Sequence, residues 1–139
     1  MVEARVKEPR QPREQQLKEH NIMAFDPKPY TLLCAASVNA TIVRNFRCVL
    51  NNIQATSLDS VPVYIHFYNM PTTPASTDTA VKTVMIPANA TAALGAGTNI
   101  VGINERFDEG LAIRVTKDIL PSGTTAVDAS EVIINLGVD

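Results

Sequence analysis

The 139 residues carry 12 Lys plus Arg against 14 Asp plus Glu, a net charge of −2, with 45% hydrophobic residues, 5% aromatic, no Trp and two Cys. That length fits one domain with a tail. No run of about 18 apolar residues offers a membrane span, and the start, Met1-Val2-Glu3-Ala4-Arg5-Val6-Lys7, lacks the apolar block of a secretory signal, so the chain reads as soluble and unexported. A slightly negative balance, no basic stripe and few rings to stack on bases argue against nucleic acid as a partner. Cys34 and Cys48, too few for a disulfide scaffold and without CxxC spacing, read as reduced, buried thiols.

Residues 1–29 differ from the rest. They hold six of the basic residues, five acids and four of the nine prolines. Large apolar groups are too sparse there to offset the entropy of ordering, so the stretch reads as an extended N-terminal arm. Within it, Glu14 to Met23 has the pattern of a short helix after Pro12, marginal in isolation. Apolar residues punctuate the arm, which favours ordering against a neighbouring subunit. Val6, Arg10, Arg13, Leu17, Ile22 and Phe25 are the expected contact residues. Fully extended, the arm reaches about 100 Å.

From Tyr30 to the end, 12 Val, 10 Ile and 13 Thr make about a third of the residues β-branched, the type that packs well on pleated surfaces. In chain order, Thr31–Val38 is a weak strand candidate. Ala40–Leu50 alternates as one strand, with Ile42, Arg44, Phe46, Cys48 and Leu50 on one face. Pro62–Tyr68 sets Val63, Ile65 and Phe67 against Tyr64, His66 and Tyr68, and Ala80–Pro87 alternates likewise. Asn99–Asn104 is weaker, Leu111–Lys117 is strong, and Glu131–Leu136 turns Val132, Ile134 and Leu136 inward. Segments with turn chemistry separate these runs, among them 70–78, 88–98 and Leu120-Pro121-Ser122-Gly123. Seven or so short strands predict an all-β fold, an antiparallel, jelly-roll-like β-sandwich over 30–139.

Residues capable of catalysis are few. Nucleophilic catalysis needs a nucleophile beside an oriented base, and the histidines are His20 in the arm and His66 inside a strand. Cys48 and His66 could face each other across strands, but a core thiol and a sheet histidine are the expectation. Two His and two Cys match no zinc spacing. Glu105, Asp108 and Glu109 lack the ligand spacing of a calcium loop. Gly95-Ala96-Gly97 is not a phosphate-binding motif. Asn39-Ala40-Thr41 and Asn89-Ala90-Thr91 match the glycosylation triplet, but without an export signal they read as chance. No catalytic, cofactor or metal residues are therefore assigned. A carbohydrate-binding module would use Tyr64 or Tyr68 as a platform, yet rings are scarce. An assembly subunit, with Arg44, Arg47, Tyr64 and His66 on polar strand faces, is the leading reading.

The C-terminal part carries a sequence of strand and loop signals: Tyr68-Asn69-Met70-Pro71-Thr72-Thr73-Pro74, then Thr77-Asp78-Thr79, Val84-Met85-Ile86-Pro87-Ala88, Gly110-Leu111-Ala112-Ile113 and Thr124-Thr125-Ala126-Val127 before Val132-Ile133-Ile134-Asn135-Leu136. Over residues 62–137 this resembles small structural proteins of tailed-bacteriophage virions. The resemblance implies a non-enzymatic virion component with a β-sandwich, and the arm does not align with it. The expectation is a capsid decoration or cement protein on the outer capsid surface, made in the host cytoplasm. It would bind the major capsid protein and its own copies as a homotrimer, without membrane or nucleic acid. A neck, tail or fibre adaptor is the alternative within the virion.

Overall fold

A computed structural model describes residues 28–89 and 97–139. The expected helix at 14–23 and all six expected arm contacts, Val6, Arg10, Arg13, Leu17, Ile22 and Phe25, lie outside the described residues. Within them the chain forms eight strands: β1 (Lys28–Leu33), β2 (Thr41–Arg44), β3 (Cys48–Ser57), β4 (Val63–Asn69), β5 (Lys82–Ile86), β6 (Thr98–Phe107), β7 (Leu111–Thr116) and β8 (Val132–Val138). They build two four-stranded antiparallel sheets, sheet A in the order β1-β8-β3-β6 and sheet B in the order β2-β7-β4-β5. Among the described residues no helix is long and apolar enough to cross a membrane.

Period-two alternation places the core. Ile53 and Ala55 of β3, Phe107 of β6, and Val132, Ile134 and Leu136 of β8 meet Val63, Ile65, Phe67, Val84, Ile86, Ile113 and Val115 of sheet B in one buried cluster. Each such side chain contributes about 1.5–3 kcal/mol by leaving water, so a sandwich beginning at Lys28 closes its own core. The boundary expected at residue 30 falls inside β1, where Lys28 and Pro29 pair with Val138 and Gly137. Pro29 is tolerated because β1 is an edge strand.

Ala40–Leu50 is not one strand. The chain bends over Asn45-Phe46-Arg47 and passes from sheet B to sheet A, the usual way a sandwich turns a corner. A register shift between Ile42 and Arg44 turns Val43 inward and leaves Ile42 and Phe46 exposed, whereas Cys48 and Leu50 are buried as expected. Opposite β3, β6 bulges: Leu50 pairs with Glu105 and Asn52 with Val101, so Gly102, Ile103 and Asn104 stand against a single residue. Gly102 (φ 71°) and Asn104 (φ 47°) supply the left-handed backbone that this requires. In the β6–β7 turn, Gly110 (φ 152°) leaves no room for a Cβ, which would lie 2.8 Å from the Arg44 carbonyl oxygen.

Candidate interaction surface

The outer face of sheet B is covered over β4 and β7, at His66, Arg114 and Thr116. After β7 the chain turns back over it as a flap, residues 117–125. The tip Leu120-Pro121-Ser122-Gly123 is a β-turn closed by Gly123 N–H donating to the Leu120 carbonyl at 2.9 Å, with proline where such turns favour it. Arg114, only 2% exposed, reaches outward from β7 and donates to the carbonyls of Pro121 (2.6 Å) and Gly123 (3.0 Å). Asp118 closes the base of the flap by accepting from Thr125 N (2.8 Å) and Thr125 Oγ1 (3.0 Å).

His66 lies beneath this flap, fully buried. Its Nε2 is 3.1 Å from the Asp118 carbonyl, an acceptor only, and 3.0 Å from Thr116 Oγ1, while Nδ1 is 2.9 Å from Thr83 Oγ1. The arrangement fits the neutral ring protonated at Nε2, with Thr83 donating to Nδ1. Burial holds its pKa below the ordinary histidine value; the Asp118 carbonyl opposes that and the nearby Arg114 charge adds to it. Among the described residues no carboxylate is hydrogen-bonded to the ring, as a triad-type base would require.

Cys48 is in the core between the sheets, so sheet B separates it from His66. Burial pushes the Cys34 thiol up to about 12 and raises that of Cys48 against the pull of Arg44, leaving both thiols protonated near neutrality. His66 is therefore not the solvated polar face the sequence suggested; Arg47 is exposed, and Arg44 and Tyr64 are half-buried. Tyr68 is 0% exposed and cannot stack on a sugar. Two of the three acids in the 105–109 stretch are ion-paired, Glu105 with Lys82 and Asp108 with Arg106, each at 3.3 Å.

Among the described residues, nothing folds over the outer face of sheet A as the flap does over sheet B. Register aligns Thr31, Asn135, Gln54 and Asn99 in one polar row across β1, β8, β3 and β6, with Thr31 Oγ1 donating to Asn135 Oδ1 at 2.8 Å. One row nearer the β3–β4 turn, the surface becomes apolar. Leu33 stands opposite Ile133, which stands opposite Thr56, and Leu58 follows. Leu33, Leu58 and Ile133 are 57%, 50% and 40% exposed around a shallow groove of about 270 Å³ rimmed by Glu131.

An acidic cluster adjoins this corner. Oxygens of Asp59, Asp128 and Glu131 lie within 4.8 Å of one another. Lys117 Nζ sits among them, 3.4 Å from Asp59 Oδ2 and 3.3 Å from Asp128 Oδ2. Hydrogen bonding to Asp128 and then Asp59 holds its pKa above the ordinary lysine value. Asp59 is completely buried; Oδ1 accepts from Val61 N at 3.3 Å, and Oδ2 faces the Lys117 ammonium. Leu58 N donates to the Glu131 carbonyl at 2.8 Å, and Cys34 N to the Val132 carbonyl at 2.9 Å. Three chain segments thereby converge on one corner of the sandwich. Sequence reading missed the cluster because residues 59, 117, 128 and 131 share no local motif; only the fold assembles them.

No family model, no curated protein and no solved structure matches the chain.

Proposed function

We propose that this chain is a structural subunit of a virus particle, a capsid decoration or cement protein. Its sandwich sits on the outer shell as a homotrimer, and its N-terminal residues reach the major capsid protein and neighbouring copies. One observation carries the reading: strands from Lys28 onward share one buried core cluster, and the 27 residues that precede them in the sequence are of mixed charge with scattered apolar groups. Such a segment gains most by ordering on a partner, where a second tethered contact raises effective concentration without new residues in the first.

Two further features support the reading. The strand order β1-β8-β3-β6 against β2-β7-β4-β5 is compatible with the jelly-roll-like sandwich proposed for it, an architecture that recurs in viral capsid domains, lectin domains and cupins. That is analogy at the level of fold. In addition, the histidine and both thiols of the sandwich are buried, and the residues it leaves exposed suit protein contact.

The test is a chain beginning at Lys28 mixed with particles lacking the protein. It is expected to keep the melting temperature of the full chain and to lose at least about tenfold in particle incorporation. Undiminished incorporation overturns the reading. Electron microscopy of labelled particles separates a cement protein, whose copies dot the head, from an adaptor confined to one vertex.

A further inference from the structure

We propose that the apolar and acidic corner around Leu33, Leu58, Ile133, Asp128 and Glu131 is the socket for the basic stretch at residues 4–13 of a neighbouring copy. The inference rests on the assembly reading above and specifies where the arm lands. Half of the socket is apolar: three large side chains stay 40–57% exposed around one groove, a grouping that covering would stabilise. The other half is electrostatic. Among the described residues, Lys117 is the cation paired with this cluster of three carboxylates, through Asp59 and Asp128. The cluster therefore keeps two net negative charges beside the groove.

The occupant follows from the residues outside the sandwich. Residues 4–13, Ala-Arg-Val-Lys-Glu-Pro-Arg-Gln-Pro-Arg, hold four cations against one acid and one branched apolar residue, Val6. Pro9 and Pro12 bias the stretch to extended backbone, which lowers the entropy lost on docking. Guanidinium forks match carboxylate geometry, so Arg10 or Arg13 is suited to Glu131 and Asp128 while Val6 covers the groove. Residues 14–27 do not match, because Glu14, Glu19 and Asp26 outnumber Lys18 and their net charge repeats that of the socket.

The donor is a second copy. Leu33 lies at the far end of β1 from Lys28, roughly 17 Å along the strand, and Pro27 and Pro29 disfavour the tight reversal that a return to the same sandwich needs. Fourteen residues, 14–27, span up to roughly 45 Å when extended, more than the radius of a domain this size. The stretch thus reaches an adjacent copy without reversing.

The experiment places p-benzoylphenylalanine at Leu58 in the full chain and, as a control, at Val101, which is 73% exposed elsewhere on sheet A. After irradiation, the expected result is a covalent chain dimer from the Leu58 probe, with the adduct mapping by mass spectrometry to peptides of residues 1–13. The Val101 probe should give none. Asp128→Lys with Glu131→Lys, both on partly exposed side chains, and separately molar salt, should each lower adduct yield about tenfold. Adducts within one chain, adducts only to sandwich residues or capsid protein, or no adduct overturn the proposal. Failure of the assembly reading is distinguishable: it shows as undiminished particle incorporation of the chain beginning at Lys28, wherever the arm lands.

Discussion

The two outer faces of the sandwich are built from the same kind of alternating strand and end in opposite states. On sheet B, the outward residues His66, Arg114 and Thr116 are buried, because residues 117–125 lie over them and return a partner to each polar atom. On sheet A, the outward residues of β1, β3 and β8 stay open to solvent, and the apolar corner at Leu33, Leu58 and Ile133 has no cover among the described residues. Alternation tells which side chains share a face; whether that face is an interior depends on what the rest of the chain lays across it. Here residues 117–125 cover the middle of one face, and among the described residues nothing covers the apolar corner of the other.

The comparison breaks most severely if the flap is released. Arg114→Ala removes two charge-assisted hydrogen bonds to the Pro121 and Gly123 carbonyls and leaves those groups unpaired over an emptied site. Hydrogen bonds to charged groups are worth about 1.5–3 kcal/mol each, so a loss of about 3 kcal/mol is expected in urea unfolding. Asp118→Ala acts at the base of the flap and should cost about 1–3 kcal/mol by freeing Thr125 N and Oγ1. If both variants unfold at the wild-type midpoint, the flap is a loose loop and the two faces do not differ as argued.

The contrast was only partly legible in the sequence. Strands with large β-branched residues on one side, such as Val63–Phe67 and Val132–Leu136, declared themselves, because inward volume and period agree. Asn51–Ser57 did not, since Ala55 and Ser57 give a weak inward signal between polar Asn52, Gln54 and Thr56. The bend at Asn45-Phe46-Arg47 was hidden because alternation continues across it while the register shifts. Leu111–Lys117 sets Leu111, Ile113 and Val115 against Ala112, Arg114 and Thr116 by alternation, yet β7 is buried on both sides, since its cover comes from a flap whose sequence shows only turn chemistry. The candidate socket is wholly a product of long-range pairing.

A smaller effect sharpens the comparison through pH. His66 is held neutral beneath the flap, with its pKa lowered mainly by burial. The unfolded chain takes up this proton near the ordinary value of about 6.5 and the folded chain only at lower pH. Above that value the contribution is full; as pH falls from there through the folded pKa it is lost, at no more than about 1.4 kcal/mol per pH unit for one proton. His66→Gln should remove this component. The stability difference between wild type and variant, followed from pH 7 to pH 5, is expected to move against the wild type as pH falls. A difference flat across that window would mean that the ring titrates in the folded protein as it does in the unfolded chain, and one moving toward the wild type that the folded ring is protonated.

The smallest effect on the lone chain is at Ile133 of β8, and its neighbour Ile134 sets the scale against which it is read. Ile134 points into the core and is fully buried, whereas Ile133 points out of sheet A and is 40% exposed. Ile134→Ala removes packed volume and should cost about 2–5 kcal/mol. Ile133→Ser, like Leu33→Ser, should change the stability of the isolated chain by less than about 0.5 kcal/mol, because each side chain already meets water and completes no hydrogen bond. The same Ile133→Ser change should nonetheless weaken association between copies, where covering the corner is the source of the gain. A residue that hardly matters to one molecule but matters to two is the signature of an interface. If Ile133→Ser instead destabilised the lone chain as Ile134→Ala does, the corner would be part of the fold's own core, and sheet A would have no face to offer.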